Sequence, residues 1–115
     1  MSTAKIIRFG SNSPKAEAGR PNNVIAGDPK TAVSNYFTDP SGRFSCGIWE
    51  STPGKWPIDY QESEFIYLIE GRVRLTDADG HAEEFEAGSA FVIPAGFKGS
   101  WETVQAVKKY YAIFE

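Results

Sequence analysis

The chain has 115 residues, with 12 lysines and arginines against 15 aspartates and glutamates and a formal net charge of -3. That length suits one domain with a core of its own, and that charge balance leaves no basic surface for nucleic acid or an anionic membrane. The longest unbroken apolar runs are five residues, 65–69 and 110–114, too short to cross a bilayer, and the single cysteine, Cys46, excludes an internal disulfide and a cysteine-based zinc site.

The opening "MSTAKIIRFG" has no apolar stretch of the kind a secretory leader carries, so a cytoplasmic location is expected. Residues 1–20 read as an arm and loop, with Pro, Gly and Asn through "SNSPKAEAGRPNN". "NYFT" and "RFSCGIWE" read as strands flanking Asp39-Pro40-Ser41-Gly42, which has proline and glycine where a type I turn wants them. Cys46 lies in the second of these and reads as a small buried hydrophobe. "STPG" then interrupts before "KWPIDYQ". "EFIYLI" and "RVRLT" flank Glu70-Gly71, which reads as a tight hairpin. "DADG" leads into "HAEEFE", with His81 exposed in the turn, and "EAGS" precedes "AFVI". Gly96, two residues after Pro94, suits a type II turn; "SWETV" and the final "VKKYYAIFE" read as two more strands. Short strands at this spacing, with no amphipathic helix, predict an all-β sandwich or barrel over about residues 40–114 of one domain.

Alternation adds a face. Glu64, Ile66 and Leu68 share one side of a strand and Phe65, Tyr67 and Ile69 the other, so the strand is apolar on both sides. One side can line a barrel. The other needs cover from the N-terminal segment or from a second copy, and a homodimer packed sheet on sheet is the leading expectation.

Two segments carry a resemblance. Glu64 and Gly71 have six residues between them, and Gly88, Pro94 and Gly96 keep the spacing glycine, five residues, proline, one residue, glycine. In these the chain resembles the cupin superfamily, which implies a double-stranded β-helix or jelly-roll barrel. With "GIWESTPGKW", "PAGFKGSWE" and "VKKYY" added, it is similar to the small cupins grouped with the cupin domain of ureidoglycine aminohydrolase. Metal-bearing members of the superfamily place two histidines, one residue apart, upstream of the glutamate and a third at the place of Gly99. Here the upstream pair is Pro57 and Asp59 or Ile58 and Tyr60, depending on the gap, and neither contains histidine. Glu64 with Asp59 or Tyr60 is too small a donor set for a tight transition-metal site. No cofactor is expected, although a weak divalent site completed by water or Glu102 stays open.

An inward Glu64 must be paired, protonated or metal-bound. Tyr60, Tyr67, a tryptophan N–H, Lys108 or Lys109 could serve as its partner. It is the candidate general acid/base or ligand-orienting group; the plainer reading has it reaching solvent. Gly99 and Trp101 share a face, so empty space and an indole stand where other members project an imidazole. Trp101 is then a stacking wall or a core plug. Trp49 is the better pocket candidate, and Trp56 beside Pro57 a rim residue. The candidate ligand-binding set is Trp49, Asp59, Tyr60, Trp101 and Lys109. Three functions compete: a cupin that binds a small polar metabolite without the histidine metal site, a metal-dependent aminohydrolase resembling ureidoglycine aminohydrolase, and a non-catalytic dimeric module.

Overall fold

The computed structural model describes residues 4–10 and 13–115, and among them every regular element is a strand. In chain order these are β1 (Glu17–Gly19), β2 (Ala26–Gly27), β3 (Thr31–Thr38), β4 (Phe44–Ser51), β5 (Gly54–Asp59), β6 (Ser63–Asp77), β7 (Ala82–Glu86), β8 (Ala90–Ile93) and β9 (Lys98–Phe114). No helix is long and apolar enough to cross a membrane.

Two long strands organise the molecule. β6 and β9 run antiparallel along their whole length. On the other edge of β9, residues 107–114 pair with β4 and residues 98–103 pair with β5. β6 is divided the same way, with β8 beside its first half and β7 beside its second. The result is two antiparallel layers, β1-β3-β4-β9-β6-β8 and β2-β5-β9-β6-β7, joined through the middle of β6 and β9. This is the curled jelly-roll arrangement predicted.

Gly71 is where the curl is made, and here the expectation of a hairpin is overturned. β6 passes straight through it with φ at 93°. A Cβ at this position would lie 2.2 Å from the carbonyl oxygen of Ala106, so only glycine lets the strands close up at the corner. The pairing register slips at Leu68/Glu70, Glu70/Arg72 and Arg72/Val73. Those bulges switch which residues face inward, from Glu64, Ile66 and Leu68 before the corner to Val73 and Leu75 after it. Likewise "SWETV" and "VKKYYAIFE" are not separate strands but the two halves of β9, whose odd-numbered residues face inward on both sides of the corner. The turns fared better. Gly42 N–H donates to the Asp39 carbonyl at 2.9 Å, and Phe97 N–H to that of Pro94 at 3.2 Å with Gly96 at φ 95°.

The core between the layers holds Trp56, Ile66, Leu68, Val73, Leu75, Ile93, Trp101 and Val107, none more than 7% exposed. Outside, Phe65, Tyr67, Val92, Tyr110 and Phe114 keep large exposed areas. The N-terminal segment covers a part of this face: Phe9 stacks on Tyr36 at 4.5 Å and meets Tyr110 edge-on at 5.5 Å.

Candidate functional site

The open end of the roll is a cavity of about 480 Å³. At its floor the Lys109 ammonium donates a 2.8 Å hydrogen bond to Glu64 Oε2. Both residues are buried, at 4% and 5% exposed. Their partnership follows from the register. Glu64 faces Ile113 and Lys109 faces Leu68, so the lysine stem lies along the strands and carries its charge past Tyr111 and Ile66 to reach the carboxylate. The same nitrogen sits 4.5 Å from the ring centroids of both Trp49 and Trp101, where the indole quadrupoles favour a cation. One carboxylate and two π faces thus occupy the ammonium.

The tryptophans form a cluster drawn from both layers. Trp49 of β4 is 5.5 Å from Trp101 and 6.2 Å from Trp56, and Trp56 lies 6.4 Å from Trp101. Trp101 is locked by its own N–H, which donates to Thr103 Oγ1 at 2.9 Å; that hydroxyl in turn bonds Ser51 Oγ at 3.1 Å. Tyr60, between β5 and β6, is held by backbone bonds to Phe97 and Gly96. Burial, and then the charge of Glu64 beside it, pushes the Tyr60 phenol well above its usual range. Tyr111 donates to Asn35 Oδ1 at 2.7 Å, and burial with help from Cys46 and Glu64 pushes its phenol up to about 12. No buried side-chain polar atom among the described residues lacks a partner. An enclosed acid paired with a lysine, aromatic walls and one open end can orient a polar molecule and exclude water around it.

A family model described as the EutQ-like cupin domain matches residues 38–111. The chain belongs to the EutQ-like cupins. Among solved structures it is similar to a protein of unknown function of the DUF861 family from Pseudomonas syringae, at 26% identity and a TM-score of 0.78, over 86% of this chain and 44% of that one. It is similar in fold to the EutQ protein of Clostridium difficile, at 22% identity and 0.67, over 75% and 68%. The same holds for a DUF861-family protein of Thermotoga maritima, at 21% and 0.55, over 84% and 97%. This cupin therefore spans less than half the length of the Pseudomonas protein. No curated protein matches it.

Cupins are often metal-binding, and the residues present here can be tested against that. Of the two candidate pairs upstream of Glu64, Ile58 and Tyr60 face the cavity while Asp59 is exposed, and Glu62 adds a single half-buried carboxylate to the lining. Isoleucine offers no donor, and a phenol pushed upward is a poor source of phenolate. The Glu64 carboxylate is already bonded to an ammonium. Gly99 leaves no vacant space either: a Cβ there would fall 1.8 Å from the Thr76 carbonyl oxygen of β6. This donor set does not fit a tightly held divalent metal.

Of the sequence-predicted site residues, Glu64, Trp49, Tyr60, Trp101 and Lys109 all line the one cavity. Asp59 does not: strand alternation turns it outward, with Lys98 at 3.9 Å. Among the proposed partners of Glu64, Lys109 is the one bonded, while Lys108 and Tyr67 lie on the outer face. Trp101 is 1% exposed and both plugs the core and floors the cavity. Trp56, expected at the rim, is buried at 7% because it pairs directly with Trp101 across β5 and β9. Cys46 is half-buried, and burial pushes its thiol up, away from reactive thiolate. His81 lies outside the cavity, in the exposed β6–β7 turn with Asp77 and Asp79. Sequence reasoning missed Glu62, Asn35 and Tyr111. Glu62 and Tyr111 each stand two residues from a recognised member, Glu64 and Lys109, and that spacing was the available signal.

Proposed function

We propose that this cupin holds a small polar metabolite in the barrel cavity, with Glu64 and Lys109 as its fixed polar floor and Trp49 and Tyr60 as walls. The observation that carries the reading is the satisfied ion pair at the base of a roomy cavity that is still open. The pair is not itself filler, because a filled barrel would leave no volume above it. The alternative, metal-assisted hydrolysis of a carbon–nitrogen bond as in ureidoglycine aminohydrolase, has against it the donor set around Glu64. Elemental analysis of the purified protein discriminates: stoichiometric manganese, nickel or iron would overturn the metabolite-holding reading. A thermal-shift screen of small polar metabolites tests it directly. A hit should raise Tm in the native chain and lose that effect in Glu64→Gln and in Trp49→Ala; an undiminished shift in both variants would count against this cavity.

We infer that a second copy covers the outer face of the β3-β4-β9-β6-β8 layer. Phe9 protects only the edge near Tyr36 and Tyr110, leaving Phe65, Tyr67 and Val92 at 38–58% exposed. Five strands by five residues make roughly 400 Å² in plan, within the range of a monomer's largest open patch, which is often functional. An apolar sheet face suits another sheet laid on it about a two-fold axis. Sedimentation equilibrium should give twice the 12.7 kDa chain mass, and Phe65→Asp should halve it. A monomer at every concentration removes the inference.

A further inference from the structure

We propose that the molecule this cavity accepts is an organic cation, an ammonium or guanidinium carried on a small flat or apolar body. The proposal deepens the metabolite-holding reading and rests on it.

Three charged side chains, two acids and one base, line the cavity: Glu62, Glu64 and Lys109. Two of them cancel. The Lys109 ammonium is bonded to Glu64 and seated against two indoles, so its charge is already matched before a guest arrives. Glu62 remains. It is half-buried in the connection between β5 and β6, and among the described residues it makes no ion pair. The neutral polar groups nearby are also committed: Tyr111 donates to Asn35 Oδ1, and the Asn35 amide donates to Thr38 Oγ1 at 2.9 Å. What the cavity offers a guest is therefore a carboxylate and aromatic faces.

Those two features select one class. An anion would bring its charge toward the unpaired Glu62 carboxylate with no free cation to receive it. A neutral body gains only the stacking. A cation gains the Glu62 charge in addition to the stacking of its body on the aromatic walls. Repulsion from Lys109 sets the orientation. The guest's charge lies toward Glu62 and Tyr60, and its body toward Trp49. At about 30 Å³ of liquid volume for each water molecule, a cavity of about 480 Å³ admits a guest on the order of ten heavy atoms.

Benzylammonium, benzyl alcohol and benzoate share one shape and differ in charge, and their binding can be followed by tryptophan fluorescence and calorimetry at low salt. Benzylammonium should bind about tenfold more tightly than the alcohol, with benzoate weakest. Glu62→Gln should erase that preference while leaving the alcohol's affinity unchanged, and added salt should weaken only the cation. Benzoate or the alcohol binding as tightly as the amine would overturn the charge selection and leave the cavity's role as a binding site standing. If none of the three binds at millimolar concentration, and none perturbs the indole N–H signals in an NMR spectrum, both readings fall together.

Discussion

Removing either member of the Glu64–Lys109 pair strands a charge among indoles and aliphatic side chains. Breaking a buried pair on one side costs about 3–5 kcal/mol, whereas replacing both partners by apolar residues of similar volume is often neutral or stabilising. Lys109→Met and Glu64→Leu should each lower the urea-derived unfolding free energy by about that amount, and the double variant should recover most of it. Losses that simply add would mean the two charges are not coupled. The partner of Glu64 was only half legible in the sequence. Alternation around Ile66 and Leu68 put the acid inside and made a buried partner necessary. Which of several candidates it was depended on how a strand 45 residues away registers against it, and no local pattern encodes that. Asp59 and Tyr60 are the same lesson at shorter range: they are neighbours on opposite faces, and the unknown gap before Glu64 left the choice open until β5 was in place.

At the scale of strands, Gly71 was misread for a physical reason. A glycine of positive φ between two apolar runs is what a hairpin requires, and also what a bulged corner requires. The distinction lies in what approaches from outside, here the Ala106 carbonyl. An all-β sandwich or barrel was legible, because strand spacing and turn chemistry at Asp39–Gly42 and Pro94–Phe97 are local, and the jelly roll followed from the resemblance carried by Glu64, Gly71, Gly88, Pro94 and Gly96. Gly99 is a second close approach, and it bears on how the chemistry of this barrel could change. Gly99→Ala should destabilise by about 1–3 kcal/mol through forced displacement of β6, measured by chemical denaturation. Gly99→His, alone or with Ile58→His and Tyr60→His, should fail to bind nickel or manganese in calorimetry. Tight binding by the single variant would show that the strands can part here.

For the molecule as a whole, the buried phenols fix the alkaline limit of stability. Tyr60 and Tyr111 both ionise at higher pH in the folded chain than in the unfolded one, where tyrosine titrates near 10. Between that value and the folded one, about 12 for Tyr111, the native state holds protons the unfolded chain has lost. Stability is therefore fully present below about pH 10 and falls as pH rises through this window. The urea midpoint should drop steadily from about pH 10 upward in the native chain, and less steeply in Tyr60→Phe. An equal slope in both would remove Tyr60 from the account.

β9 supplies Trp101 to one layer and Lys109 to the other, eight positions apart in a single uninterrupted strand. An even count sends both side chains to the same side. One residue fewer between them would send the lysine out to water and draw Tyr110 inward, leaving Glu64 facing a phenol with no counter-ion, whereas one residue more would bring Lys108 into the same place. Substitution can retune such a receptacle gradually, but the loss of one residue there would dismantle it in one step.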